Sequence, residues 1–145
     1  MNHDRQYCTF FVDGLHFGVP VLGVQEVLRY QPMTPVPRAP SIVRGLINLR
    51  GQIVTAIDLR MRLDMAPRKG ERPPMNVVLR MQQDTVSLLV DEIGDVIDAR
   101  EDTFEPTPRT LHPTTRELIN GVYKLEKSLL LVLDTENVLA DIVAA

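Results

Sequence analysis

The sequence has no tryptophan, only one cysteine and few aromatic residues, which make up 5% of its 145 positions. The single cysteine, Cys8, allows no disulfide within the chain, and this usage is typical of a reducing compartment. No apolar run approaches the roughly 20 residues that span a bilayer, and the polar start lacks the apolar stretch of a signal peptide. We therefore expect a cytoplasmic protein without membrane insertion and with an aliphatic core.

The sequence also lacks the patterns of the common catalytic and metal sites. The histidines, His3, His16 and His112, show no ligand spacing, and neither a P-loop nor a GxSxG motif occurs. The formal charge is −3, and no run of Lys or Arg forms a basic stripe. A protein that binds nucleic acid by neutralising phosphates needs such a stripe. We expect no metal, no cofactor and no nucleic-acid partner.

What the sequence does contain is an internal duplication. The stretch VRGLINLRGQIVTAIDLRMRL, residues 43–63, aligns without a gap with INGVYKLEKSLLLVLDTENVL, residues 119–139. Gly45 matches Gly121 and Asp58 matches Asp134. Each copy has two apolar runs around a polar turn, followed by an aspartate. This order predicts a β-hairpin and then a short helix capped by the aspartate carboxylate.

The flanking segments repeat in the same order, so each copy of the whole unit reads as hairpin, short irregular element, proline-rich stretch, hairpin and capped helix. Residues 91–99 match residues 22–30, with Ile93 at the position of Val24, Asp95 at that of Glu26 and Val96 at that of Val27. Residues 7–12 and 15–19 surround Asp13-Gly14, which is a strong hairpin signal. Further predicted elements are a short helix or bent strand over residues 24–30, an extended proline-rich stretch over 32–40, a loop over 64–74, strands over 76–81 and 86–90, and a final helix over 135–143. Apolar residues make up 44% of the chain and charged residues 24%, as in a globular domain. Many short strands with frequent turns favour small barrels over a parallel sheet.

Two alternatives concern individual side chains. Asp58 and Asp134 occupy equivalent places, as the paired carboxylates of an aspartic protease do, and a hydrolase using both is the rival hypothesis. However, glycine does not follow at the position that such a site requires, and helix capping explains both residues. Arg50, at the tip of the first predicted hairpin, is either a hydrated turn residue or a contact for a partner. The second tip carries Glu126-Lys127 instead.

The segments GVPVLGVQEVLRY, TPVPRAPSIVRGLINLRGQIVTAIDLRMRL, VSLLVDEIGDVI and INGVYKLEKSLLLVLD resemble, in order and spacing, the CheW domain of bacterial chemotaxis. The resemblance runs from about residue 6 to residue 141. Its most specific part is Arg44-Gly45-x-x-Asn48-Leu49-Arg50-Gly51, with Asp58-Leu59 following.

The resemblance implies a mainly β fold: two intertwined five-stranded SH3-like β-barrel subdomains with short helices around a shared apolar core. We expect one CheW-like domain over residues 1–145. Its first subdomain would cover about residues 15–73. The second would cover about 75–145 and include the N-terminal strand 7–12.

The resemblance further implies a non-catalytic adaptor that couples chemoreceptors to the histidine kinase CheA. Its expected partners are the kinase's regulatory domain and the cytoplasmic tips of methyl-accepting receptors. We expect a free-standing coupling protein that is monomeric outside the receptor array. The family's receptor contacts, carried over by position, are Val24, Glu26, Gly45 and Arg50. The expected receptor-binding surface also includes Asn48, Leu49 and Gly51 as supports. The resemblance assigns no kinase-contact residues.

Overall fold

The computed structural model describes residues 5–70, 72–82 and 84–143, and within them the fold is mainly β. The strands are β1 (Arg5–Val12), β2 (Leu15–Pro20), β3 (Val24–Leu28), β4 (Val43–Leu49), β5 (Gln52–Asp58), β6 (Met75–Arg80), β7 (Thr85–Val90), β8 (Glu92–Ala99), β9 (Phe104–Glu105), β10 (Ile119–Lys124) and β11 (Leu129–Leu133). The α-helices are α1 (Leu59–Arg62), α2 (Pro113–Glu117) and α3 (Thr135–Val143). His3 and the ends of the predicted domain, residues 1–4 and 144–145, lie outside the described residues.

The strands form two sheets with the same plan. One sheet has the order β8-β1-β2-β11-β10-β9, and the other has the order β3-β6-β7-β5-β4. Each contains one parallel pair, β2 with β11 and β5 with β7, and its other neighbours are antiparallel. The first sheet has six strands rather than the predicted five because β9 counts as a two-residue strand. In the second sheet a single bridge from Thr34 to Leu46 takes that place.

The two sheets exchange hairpins, which confirms the predicted intertwining. The β1–β2 hairpin comes from the first copy of the duplicated unit but lies in the sheet built from β8 to β11. The β6–β7 hairpin comes from the second copy but lies with β3, β4 and β5. The sheets therefore do not follow the predicted ranges 15–73 and 75–145, since β2 and the β6–β7 hairpin each cross over. The division into subdomains over about residues 15–73 and 75–145 stays a prediction.

The elements expected from the sequence are mostly confirmed. Both copies of the focal hairpin form, and Asp58 and Asp134 cap α1 and α3 through bonds from backbone N–H groups. Residues 24–30 were predicted to form either a short helix or a bent strand. They contain the strand β3, which is bent by a register shift between Val24 and Glu26. The short helix α2 was not predicted. Its N-cap is His112, whose Nδ1 accepts from the Thr114 N–H, and imidazole is not among the usual capping groups.

The core has a shared part and a separate part for each sheet. The shared cluster joins residues from both sheets and from α1 and α3, among them Phe10, Phe17, Leu88 and Leu133. A smaller cluster of the five-stranded sheet contains Ile47, Leu49, Val54 and Ala56. In the ungapped alignment these four correspond to Tyr123, Leu125, Leu130 and Val132. Leu125 packs against the small cluster of the six-stranded sheet, and the other three belong to it. The duplication is therefore preserved in the packing as well as in the strand order.

A matched pair of leucines on β11 tests the shared core. Leu133 is 2% exposed and packs in the shared cluster, whereas Leu129 is 40% exposed. We expect Leu133→Ala to lower the free energy of unfolding by about 2–5 kcal/mol, because it removes buried methyl groups and leaves a cavity. Leu129→Ala should change it by no more than about 0.5 kcal/mol. Urea denaturation of both variants measures this, and equal losses would contradict the assignment of the shared core.

Candidate functional site

The first hairpin ends in a two-residue turn that presents Arg50 to solvent. Leu49 pairs with Gln52, so Arg50 and Gly51 form the turn, with φ values of +52° and +91°. Two consecutive positive φ values are typical of a type I′ turn, which matches the twist of the flanking strands. The Asn48 side-chain oxygen accepts from the Gly51 N–H at 2.9 Å. The turn is therefore fixed by its own backbone and by one side chain.

Glu26, on β3, is the ion-pair partner of Arg50. An Nη of Arg50 donates to a carboxylate oxygen of Glu26, with the Arg50 side chain 68% exposed and that of Glu26 23% exposed. A second bond joins the same elements, since the Gln25 side-chain amide donates to the Gln52 side-chain oxygen at 3.3 Å. Because β3 and β4 are the two end strands of the five-stranded sheet, these bonds draw the ends together and close the sheet toward a barrel.

The other predicted contact residues lie behind this charged pair. Leu49 is 5% exposed and belongs to the small core cluster of the five-stranded sheet. Val24 is partly buried and packs against the shared core. The structure therefore brings the seven predicted residues onto β3 and the β4–β5 hairpin, with Arg50 and Glu26 as their charged surface. Among them, Leu49 lies too deep to meet a partner directly and supports the turn instead.

Gly45 allows the proline-rich stretch to approach β4 closely. Thr34 and Leu46 exchange backbone hydrogen bonds of 2.9 and 2.8 Å. A Cβ added at Gly45 would lie 2.7 Å from the Thr34 carbonyl oxygen. The duplicate position behaves alike, because a Cβ at Gly121 would lie 3.1 Å from the Glu105 carbonyl oxygen. The match between the two glycines in sequence is thus a shared packing requirement, at a β-bulge in each hairpin.

Gly45→Ala tests this close approach. We expect it to lower the free energy of unfolding by about 1–3 kcal/mol, because the new methyl group displaces backbone rather than a flexible side chain. Gly23→Ala is the control, since a Cβ there meets nothing within 4 Å. Thermal unfolding of both variants measures the difference. If Gly45→Ala is as stable as the control, the proline-rich stretch can move away from β4 without loss of stability, and the expectation is wrong.

The rival hydrolase site rests on Asp58 and Asp134, and each of these carboxylates has a structural use. Asp58 accepts from the Met61 N–H at 3.3 Å and forms an ion pair of 3.0 Å with Arg44. Asp134 accepts from the Asn137 N–H at 3.1 Å. The two residues cap different helices, α1 and α3. Capping and pairing account for the contacts of both, so the structure gives the dyad hypothesis no added support.

Cys8 on β1 and His16 on β2 belong to the six-stranded sheet, whereas the candidate site lies on the five-stranded sheet. Burial raises the pKa of the Cys8 thiol, so the residue is a poorer nucleophile than a free thiol. Burial lowers the pKa of His16, with the charge of Asp95 acting in the opposite direction, and the His16 ring stacks on Phe11. Across residues 5–70, 72–82 and 84–143, no group of three or more His, Cys, Asp or Glu side chains is arranged to hold a metal ion.

Sequence reasoning missed several contributors to this surface. Gln25 and Gln52 join β3 to the hairpin, and Gln52 also donates to the Thr85 hydroxyl at 2.8 Å. Leu22 is 92% exposed in the 3-10 turn directly before β3. No sequence pattern distinguishes these residues, because their roles depend on the approach of β3 to the hairpin tip.

Among the described residues, no helix is long and apolar enough to cross a membrane.

The family model that matches this sequence is that of the CheW-like domain, and the match covers residues 6–143. The chain belongs to the CheW-like domain family. This CheW-like chain is 29% identical over 133 residues to the probable chemotaxis protein CheW of Rhizobium etli, covering 92% of this chain and 86% of that protein. It is 31% identical over 131 residues to the chemotaxis protein CheW of Bacillus subtilis, covering 90% of this chain and 84% of that protein.

A solved structure with the same fold is that of the scaffolding protein TtCheW from Thermoanaerobacter tengcongensis. It matches the CheW-like chain with a TM-score of 0.80 at 24% identity, covering 90% of this chain and 88% of that one. The likeness shows the fold and agrees with two SH3-like subdomains. The resemblance stated from the sequence motifs is confirmed, because the family model and the curated chemotaxis proteins CheW both match most of the chain.

Proposed function

We propose that this CheW-like chain is a non-catalytic adaptor that ties a CheA-type histidine kinase to the cytoplasmic tips of chemoreceptors. In this proposal it works in the cytoplasm, as a monomer that joins membrane-bound receptor arrays. The observation that carries the proposal is the charged pair Arg50–Glu26 on a preformed turn, in a chain of the CheW-like family. Its relatives bear the name chemotaxis protein CheW.

The receptor contact is proposed for the surface formed by β3 and the β4–β5 tip. Arg50 remains 68% exposed even while paired with Glu26, so part of its planar guanidinium is free to bond a partner carboxylate or a helix carbonyl. The partly buried carboxylate of Glu26 fixes where that guanidinium points. A charge held in place before binding loses less side-chain entropy on docking. Asn48, Leu49, Gly51, Gly45 and Val24 act in this proposal as the frame that holds the pair.

The kinase contact is proposed for a sheet edge. The strands β3 and β8 are each the last strand on one side of their sheets, and each exposes an apolar side chain, Val27 at 43% and Val96 at 59%. An exposed strand edge with an apolar residue can pair with an edge of a similar fold. The kinase's regulatory domain is, by family resemblance, a homologue of this chain, so a pseudo-symmetric packing of like subdomains is available. In this scheme the adaptor has no chemical role. A change in receptor conformation alters the output of the kinase because the adaptor contacts both proteins rigidly.

Arg50→Glu should abolish binding to receptor tips while leaving the fold intact. The substitution places two carboxylates side by side in place of an exposed ion pair, so it should change the free energy of unfolding by no more than about 1 kcal/mol. Loss of a charge pair that becomes buried on binding can cost about 2–5 kcal/mol, which is a loss of tenfold or more in affinity. Co-sedimentation with receptor signalling tips measures binding, and a melting curve measures the fold.

Lys127→Glu is the matched control, because it reverses a charge on the exposed tip of the second hairpin. It should co-sediment like wild type. If Arg50→Glu also co-sediments like wild type, or if both tips matter equally, the assignment of the receptor contact to the first tip is wrong.

Kinase binding should be visible by calorimetry at micromolar concentrations, with the modest affinity of a transient signalling contact. A negative heat-capacity change is expected, because an apolar edge is buried. Val96→Lys and Val27→Lys place a charge on the two edges, and one of them should weaken binding tenfold or more while the other leaves it unchanged. Unaltered binding by both variants would contradict edge docking, and no heat with the cognate regulatory domain would contradict the kinase partner.

A further inference from the structure

Asp91, between β7 and β8, gathers hydrogen bonds from three separate parts of the chain. Its carboxylate accepts from Arg60 Nε at 3.0 Å and Arg60 Nη2 at 2.7 Å, in the two-pronged geometry that suits guanidinium and carboxylate. It accepts from Arg68 Nη1 at 2.7 Å and from the backbone N–H of Asp13 at 2.7 Å. Arg60 lies on α1, Arg68 lies in the loop after it, and Asp13 is in the β1–β2 turn.

These bonds join parts of the fold that belong to different sheets. The β1–β2 turn belongs to the six-stranded sheet, and α1 continues directly from β5 of the five-stranded sheet. The backbone of Asp91 adds a further tie, because its N–H donates to the Phe11 carbonyl oxygen at 3.0 Å. The side chains of Asp91, Arg60 and Arg68 are 18%, 15% and 23% exposed, so their charges are only partly screened by water.

Residues 66–70, called here the strap, follow Met65, whose N–H donates to the Arg60 carbonyl oxygen at 2.8 Å and so ties the start of the loop to α1. The strap's arginine, Arg68, donates to Asp91, and its Ala66 carbonyl oxygen accepts from Arg60 Nη1 at 2.9 Å. The strap has no regular secondary structure, and none of residues 66–70 belongs to the core clusters, whereas Met65 directly before it packs against the shared core. It borders a pocket of about 270 Å³, whose walls include Arg44, Asp58, Met61 and Pro67. Arg60 and Arg68, the residues bonded to Asp91, also line that pocket.

We propose that Asp91 is an electrostatic latch that holds the strap closed over this pocket. The bonds to one carboxylate then hold the strap in position through Arg68 and join it, through Asp91, to the Asp13 N–H of the β1–β2 turn. When the latch opens, Arg60 loses the carboxylate that positions it against the Ala66 carbonyl oxygen, and the bond from Arg68 to the Arg72 carbonyl oxygen lies within the loop itself. The strap is then free to leave the pocket. The proposal concerns a face built from α1, the strap and Asp91, and it does not depend on the receptor contact proposed for Arg50.

The charge state of Asp91 fixes what can open the latch. Burial raises the pKa of Asp91, but the Arg60 hydrogen bonds, the Asp13 amide and the charges of Arg60 and Arg68 together hold it below its ordinary value. The hydrogen bonds to Asp91 raise the pKa of Arg60 in turn. A carboxyl group with a depressed pKa in the folded state contributes stability above its unfolded pKa and loses it as the pH falls through the folded pKa. The latch therefore stays charged at neutral pH, and a change of pH near neutrality does not open it.

Limited proteolysis with trypsin tests the latch, because the strap contains Arg68 and Lys69. We expect Asp91→Asn, which keeps the size of the side chain and removes its charge, to raise the rate of cleavage after these residues at least tenfold. Glu92→Gln is the matched control. Glu92 is the next residue, and it pairs with Arg72 in an ion pair whose side chains are 80% and 58% exposed. Its removal should leave the cleavage rate unchanged.

A second variant separates an open strap from a general loss of folding. Arg68→Gln removes the strap's own bond to Asp91, keeps the Arg60–Asp91 pair and leaves the cleavage site after Lys69. Faster cleavage there, with a melting temperature close to that of wild type, supports the latch even if Asp91→Asn does not fold. Cleavage at the wild-type rate in a folded Asp91→Asn protein, or in Arg68→Gln, would overturn the proposal.

Discussion

The constraint on which the structure depends is the pair of parallel strand contacts, β2 with β11 and β5 with β7. Each is the place where a hairpin from one copy of the duplicated unit joins strands from the other copy. A parallel pair needs a long connection between its strands. The connection from β2 to β11 runs through the other sheet, whereas the connection from β5 to β7 runs through α1, the loop after it and β6. Neither copy can complete its sheet alone. The shared core follows from this, because the strands that carry Phe10, Phe17 and Leu88 are held in place by the exchange.

Local elements were predictable from the sequence because their signals are local. Asp13-Gly14 and Arg50-Gly51 adopt positive φ values at both turn positions, as two-residue hairpin turns require. Asp58 and Asp134 cap their helices as side-chain acceptors do. The hairpin exchange gave no such signal, since the apolar alternation of β6 and β7 specifies a buried strand but not which sheet receives it. Pro113 at the start of α2 was a usable sign of a helix, but His112 as its cap was not.

In the candidate site, too, local features were predictable from the sequence and contacts between distant residues were not. Family resemblance identified its residues, and the turn geometry of Arg50 and Gly51 followed from the sequence. The bond from Arg50 to Glu26 did not, because the two residues are far apart in the chain and meet only when the five-stranded sheet curls. The same holds for Asp91, whose partners come from a turn, a helix and a loop. Charged contacts between distant segments form only when folding brings those segments together, and the pattern of apolar residues in this sequence does not predict which segments meet.

The duplication also shows where the two halves have been free to differ. Gly45 and Gly121 both admit a neighbouring backbone, and the small core clusters correspond position by position, so packing keeps the copies alike. The hairpin tips have no such restriction. In the first copy Arg50 meets Glu26, whereas the matching residues of the second copy, Glu126 and Asp95, carry like charges and cannot form that pair. The second hairpin instead pairs Lys124 with Glu105 at 3.8 Å. The fold is therefore symmetric in its core and asymmetric in the charge of its tips, and this asymmetry is the feature on which the proposed assignment of the receptor contact to the first tip depends.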